Sequence, residues 1–356
     1  MIELSDVDVP RSASGRPDWQ NPEWLAAVDE WISKSCADAG LSRIGAAQAR
    51  CRMWSVVARV PVTGGQVWFK ANPPGSGFEP ALAQALSRWN PQDVPPVLAI
   101  DTDRRWALTA DGGAQLDAVF TTDPDTRHWH MPIQRYARLQ ISLAGRLPDL
   151  AALGVPDLRP ETLADTAAAM FADPGLLDGV ATPPGPTEKE FLAARERLPA
   201  LRAHCAELAA LGIPNSLDHA DLHPGNVLGW GCGARLFDWG DAVLGHPFGS
   251  LLVVLRKALE VCAVPRGGPE IRSLRDTYLQ PWLAQGVSPD AAKRGMEFAL
   301  SAAALARACA ATRMFPCYSD NLWPRARAAL WLSRVGATDP LTIGLDRATV
   351  PWRVSN

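Results

Sequence analysis

Lysine is scarce in this chain: Lys34, Lys70, Lys189, Lys257 and Lys293 are five of only 35 basic residues. Acidic residues number 38, so the formal net charge is −3. Without a basic surplus or stripe, the sequence argues against a phosphate-backbone binder, and no nucleic-acid partner is expected. No apolar run reaches about 18 residues, the length a membrane-spanning helix needs. The opening MIELSD is acidic and lacks the cationic start and apolar core of a secretory leader. The seven cysteines (Cys36, Cys51, Cys205, Cys232, Cys262, Cys309 and Cys317) are odd in number, widely spaced and without a CxxC. That pattern argues against a disulfide framework and a structural zinc, and for reduced thiols in a cytoplasmic protein.

What is present is ordinary globular composition, 47% hydrophobic and 21% charged over 356 residues, enough for two lobes with cores. Residues 22–39 carry apolar side chains at helical spacing. Residues 54–60 (WSVVARV) and 66–71 (QVWFKA) are β-rich and separated by turn residues, which predicts a hairpin. A helix is expected over 78–89, then two further strands at 96–101 and 105–110. After Asp111-Gly112-Gly113 the pattern turns helical, with helices expected over 133–152, 161–172, 187–211, 248–263, 270–285, 289–313 and 321–335. The organisation reads as a tail (1–21), a small β-rich part (22–112) and a large helical part (113–356).

Chemistry concentrates in residues 217–241, LDHADLHPGNVLGWGCGARLFDWGD. Asp221 and Asn226 lie five apart in a loop containing Pro224 and Gly225, and Asp238 follows twelve residues after Asn226. A hairpin over 226–229 and 234–238 would bring the Asn226 carbonyl oxygen and the Asp238 carboxylate to one end, facing a common cation. Asp221 would then sit nearer a substrate. Hard oxygen donors of this kind suit Mg²⁺ on a triphosphate, and a carboxylate beside a hydroxyl can orient it and take its proton.

This segment resembles the catalytic segment of the protein-kinase-like superfamily: H-x-D-x-x-x-x-N, a hairpin, then an aspartate before an aromatic residue and glycine. HADLHPGN followed by FDWGDA is most similar to the aminoglycoside phosphotransferase and choline kinase branch. The resemblance implies an α+β, bilobal fold, with a β-rich N-lobe and a mainly helical C-lobe. It implies Asp221 as catalytic base, His219 bracing the loop, and Asn226 and Asp238 holding Mg²⁺, with Asp241 at an acidic position common in the branch. It further implies a strand lysine, Lys70, that reaches the nucleotide phosphates and is held by Glu79 on the next helix. A linker over residues 106–113, with Leu108, Thr109 and Ala110 as hinge candidates, would read the base of ATP or GTP. The implied activity is transfer of the terminal phosphate to a hydroxyl of an antibiotic or similar small molecule, or of a metabolite such as an amino alcohol or sugar.

Two departures stand out. The loop expected at Ala49-Arg50-Cys51-Arg52-Met53 has no glycine, and Arg50 or Arg52 is either a phosphate contact or a solvated side chain. Ser250 occupies the place where the branch has an aspartate bracing the catalytic loop. No phosphosite-bearing activation segment follows Asp238, which argues against a protein substrate. Residues 289–335 hold Asp290, Glu297 and Asp320 among six arginines, which does not suit a polycationic acceptor. A neutral or weakly charged acceptor is expected, with Trp129, Trp282, Trp323 and Trp331 available for stacking or, more simply, for the core. The competing readings are a metal hydrolase using His219, Asp221 and His223, and an inactive nucleotide-binding regulator.

Overall fold

Alternation of apolar residues builds the first layer. In the computed structural model, which describes residues 1–8, 18–229, 233–313, 322–337 and 341, six strands form one sheet. They are β1 (Ile2–Asp8), β2 (Ala47–Arg52), β3 (Ser55–Val62), β4 (Gly65–Ala71), β5 (Val97–Asp101) and β6 (Trp106–Ala110). The order is β1-β2-β3-β4-β6-β5, with β1 parallel to β2 and the other pairs antiparallel. Val56, Ala58 and Val60 on β3, with Val67, Phe69 and Ala71 on β4, turn inward at every second position. The β3–β4 turn is Thr63-Gly64, and Gly64 adopts φ +86°, a conformation glycine reaches without a Cβ penalty.

The expected tail is therefore partly wrong. Residues 2–8 are an edge strand, with Ile2 paired to Ala47 and buried against the small core, where Trp19 also lies. An edge strand needs only one apolar side, so its mostly polar composition concealed it. The glycine-free loop is also shorter than expected. Residues 49–52 belong to β2, leaving a turn at Met53-Trp54. Arg52 is tied to the Asp6 carboxylate of β1.

Helix α1 (Pro22–Asp38) covers this sheet with Val28, Ile32 and Cys36 buried. Trp31 meets Phe69 and Trp106 edge-on at centroid distances of 5.9 and 5.6 Å. Helix α2 (Glu79–Trp89) follows β4 and sends Leu82 and Leu86 into the second, larger core.

The helical part contains α3 (Leu116–Thr122), α4 (His130–Leu143), α5 (Leu147–Ala152), α6 (Pro160–Phe171), α7 (Pro174–Leu177), α8 (Glu188–Glu196) and α9 (Leu198–Ala210). After the site loop come α10 (Leu251–Val261), α11 (Pro269–Ala284), α12 (Pro289–Thr312) and α13 (Leu322–Leu332). Two expected helices are split. The 133–152 pattern breaks at a 3-10 turn, Ala144–Arg146, and the 187–211 pattern breaks just before Pro199, which lacks the N–H a continuous helix requires. No helix among the described residues is long and apolar enough to cross a membrane.

The two parts meet at residues 111–115. Gly112 packs against Leu228, so a Cβ there would lie 2.5 Å from Leu228 Cδ1 and 3.0 Å from its Cβ. Gly112→Ala is expected to lower unfolding stability by roughly 1–3 kcal/mol, the cost of overpacking, as read from urea denaturation.

Candidate active site

Two small ribbons carry the site loop. Strand β7 (Ser216–Asp218) pairs antiparallel with β10 (Val243–Gly245), and β8 (Val227–Leu228) pairs with β9 (Arg235–Leu236). The second ribbon is shorter than the 226–229 and 234–238 reading, but it does what that reading required. Val227 faces Leu236, and Phe237 N–H donates to Asn226 O at 3.3 Å, so Asn226 and Asp238 emerge at the same end.

Lys70 joins the lobes. Its Nζ lies 2.8 and 2.6 Å from the two Glu79 carboxylate oxygens and 2.5 Å from Asp238 Oδ1. Burial alone would lower the Lys70 pKa, but the carboxylates of Asp238 and then Glu79 outweigh it and keep the ammonium charged. Burial raises the Glu79 carboxyl against the pull of Lys70. Asp238 is the open member, with 44% of its side chain exposed, and Lys70 overrides desolvation to hold its pKa down. Glu79 also accepts from Trp239 N–H at 3.0 Å, so one carboxylate fixes both the lysine and the Asp-Trp-Gly backbone. Ser76 Oγ and Arg313 Nη1 donate to Gly240 O at 3.0 and 2.8 Å, closing the same junction.

Asp221 lies close enough to Asp238 to feel its charge. Asn226 Nδ2 donates to Asp221 O at 2.9 Å, fixing the loop and leaving the side-chain Oδ1 of Asn226 as a separate acceptor or metal ligand. His219 is buried, and burial lowers its pKa. Its Nδ1 lies 3.4 Å from Asp221 N–H as acceptor, so the ring N–H is assigned to Nε2, which donates to Phe237 O at 2.9 Å. This histidine ties the loop to the ribbon. Ala220 and Asp238 both adopt positive φ (60° and 64°) without being glycine, strain of the kind found at functional sites.

Two participants escaped the sequence reading. Arg307 of α12 places Nη1 3.1 Å from Asp221 Oδ1 and 2.5 Å from Asp241 Oδ2. Desolvation pushes the Asp221 pKa up, but Arg307 foremost, then His223 and His219, bring it below the usual carboxylate value. Asp241 is thus committed to an arginine. The available signal was one arginine interrupting an alanine-rich helix segment, SAAALARACAA.

The second is Asp218, which explains Ser250. The Ser250 hydroxyl donates to Asp218 Oδ1, so Tyr136 O–H donates to Ser250 Oγ (2.5 Å). The Tyr136 oxygen accepts from His219 N–H at 2.9 Å, and Ala220 N–H donates to Asp218 at 2.7 Å. The bracing carboxylate therefore comes from the strand beside His219, and the helix supplies the hydroxyl. Burial pushes the Asp218 carboxyl from 3.8 up to about 6. The folded state thus holds this proton more tightly than the unfolded chain, so stability from this group is present at low pH and lost as pH rises through 6. In urea denaturation, wild-type stability minus that of Asp218→Asn is expected to fall by roughly 2–3 kcal/mol between about pH 4 and pH 7.

The linker reading needs correction. Leu108 is fully buried, and Leu108 and Thr109 pair with Phe69 and Trp68 of β4 and with Ala99 and Val97 of β5. Ala110 N–H donates to Pro96 O at 2.9 Å. Backbone groups of a strand paired on both sides are consumed by the sheet. The stretch that leaves it is 111–113, where Asp111 Oδ1 accepts from Trp68 Nε1 at 3.1 Å. Trp129 and Trp282 are core residues, and Trp331 lies under arginines. Cys232, Cys317 and Asp320 lie outside the described residues.

The hydrolase arrangement is not formed. Both His219 ring nitrogens are engaged, and His223 Nδ1 accepts from Gly225 N–H at 3.1 Å. Among the described residues no group of three His, Cys, Asp or Glu is placed to hold a metal ion. The oxygen pair Asn226 and Asp238 fits a different need: Mg²⁺ binds through one or two protein oxygens while phosphate oxygens and water complete its shell.

No family model and no curated protein matches the chain. Solved structures do. An ethanolamine kinase from Plasmodium vivax superposes with a TM-score of 0.55 at 12% identity, over 90% of this chain and 89% of that one. A choline/ethanolamine kinase family protein from Mesorhizobium loti gives 0.52 at 16%, over 87% and 94%. A macrolide 2′-phosphotransferase from Brachybacterium faecium gives 0.51 at 17%, over 87% and 98%. The chain shares the bilobal fold of these kinases and phosphotransferases, a β-rich part followed by a mainly helical one, as the sequence implies.

Proposed function

We propose that this protein is a small-molecule kinase of the cytoplasm, moving the γ-phosphate of ATP or GTP to a hydroxyl of an antibiotic or similar hydroxylated metabolite. The observation that carries this reading is the convergence of Lys70, Glu79, Asp238, Asn226 and Asp221 on one cleft from four separate elements. The inactive-regulator reading rests on the glycine-free β2–β3 turn, since Asp218 supplies the carboxylate that Ser250 lacks.

Lys70 would hold the nucleotide phosphates, with residues 111–113 passing the base. Asn226 and Asp238 would hold Mg²⁺, which neutralises charge on the phosphate oxygens. The acceptor oxygen forms a bond to the γ-phosphorus as the bond to the β–γ bridging oxygen breaks. The nucleoside diphosphate leaves, and the hydroxyl proton passes to the Asp221 carboxylate, ionised because Arg307 holds its pKa down.

Incubation with ATP or GTP, Mg²⁺ and a panel of hydroxylated antibiotics and metabolites tests the reading. It predicts an acceptor that gains one phosphate, seen by mass spectrometry, with matching diphosphate release. Saturable nucleotide binding without any turnover across the panel would support the regulator instead.

A further inference from the structure

We infer that the acceptor is a hydroxylated small molecule bearing an anionic group, carboxylate or phosphate, which is received by arginines on the α10–α12–α13 side of Asp221. This rests on the phosphotransfer reading and adds the charge of its substrate.

Three arginines from three helices gather there. Arg256 of α10 and Arg307 of α12 both lie against the Trp331 ring, their guanidinium carbons 4.6 and 5.9 Å from its centroid. Arg327 of α13 is 7% exposed, and Arg256 is 9% exposed. Neither has a carboxylate partner among the described residues, and Arg256 Nε and Arg307 Nε are buried without a hydrogen bond. The nearby acids are taken: Arg307 holds Asp221 and Asp241, and Lys257 holds Glu260 at 3.0 Å. Arg327 lies over the Trp323 ring at 5.5 Å and stands one turn before Trp331 on α13, beside the ring that Arg256 and Arg307 cover.

Guanidinium does not shed its proton in proteins, so burial without an anion is an uncompensated cost. A ligand anion offsets it, and the planar fork suits carboxylate and phosphate alike. A cationic acceptor finds the opposite conditions. Its charge would meet arginines, and the ring face that could cradle it is already covered by Arg256. Arg307 touches both the cluster and Asp221, so an anion held here leaves a neighbouring hydroxyl facing the carboxylate.

Thermal-shift titration of the intact protein provides the test, with glycerate, glycerol 3-phosphate, glycerol and choline as probes and Mg-ATP as a separate arm. The inference predicts saturable stabilisation by glycerate, by glycerol 3-phosphate or by both, the two arms telling carboxylate from phosphate, and none by glycerol or choline. Arg256→Gln with Arg327→Gln should weaken anion binding at least about 10-fold while the Mg-ATP shift persists. The Lys pair should restore part of it and serves if the Gln pair does not fold. A stronger response to choline, no response to either anion, or an anion response unchanged in the Gln pair overturns the inference. Loss of the Mg-ATP response in wild type would instead strike the kinase reading.

Discussion

Asp221→Asn is expected to lower kcat about 10³-fold while leaving the nucleotide dissociation constant within about twofold. Positioned general bases contribute roughly 10²–10⁴-fold, and asparagine keeps the volume of aspartate but cannot take the hydroxyl proton. The substitution does not orphan its neighbour, because Arg307 retains its 2.5 Å contact with Asp241. The loop also keeps its shape, since Asn226 holds the backbone oxygen of residue 221 and not its carboxylate. In the proposed kinase reading the nucleotide contacts gather around Lys70, which is tied to Asp238 and Glu79. Steady-state kinetics and equilibrium nucleotide titration separate the two quantities. Residual activity above about a tenth of wild type would remove Asp221 from the base role.

Lys70→Met should act on both stability and activity, and a companion substitution separates the two. Glu79 is 5% exposed, and removing the ammonium leaves a buried carboxylate without its countercharge. Breaking a buried pair from one side typically costs about 3–5 kcal/mol, whereas replacing both partners with apolar groups is often neutral. Lys70→Met is therefore expected to lose about 3 kcal/mol of unfolding stability, and Lys70→Met with Glu79→Leu to regain most of it. Burial already lifts Glu79 above its ordinary 4.5, and without Lys70 it rises further. A folded-state acid with a raised pKa loses stability as pH rises, so the penalty of the single variant grows from pH 5 to pH 8. Activity should behave differently. In the proposed kinase reading both variants lack the group that would meet the phosphates, so turnover stays depressed by at least about 10²-fold in each. Recovery of turnover together with stability would make Lys70 a structural residue only.

The sequence exposed the parts of this fold whose signals are local. The 3.6-residue period marked α1, α6, α11 and α12 nearly to their ends, and β3 and β4 followed from alternation around a turn. Lys70 and Glu79 were legible because a lysine ending an apolar strand is rare in this chain and the next helix begins with an acid. The strand at residues 2–8 was hidden because an edge needs few apolar residues. The linker candidates Leu108, Thr109 and Ala110 overlap the strand expected at 105–110, and the structure keeps them in β6, paired with its neighbours. Arg307 was invisible as a site residue because it lies 86 positions beyond Asp221, and helix packing alone brings them together.

The exchange between residues 218 and 250 bears on how such chains are found. A search rule that demands an acid at the helix start after the metal-side aspartate passes over this protein, because a serine stands there. A rule that asks only whether some carboxylate reaches the amide of Ala220 accepts it. In this protein the negative charge at that point in space is delivered by the strand at residue 218 and not by the helix start.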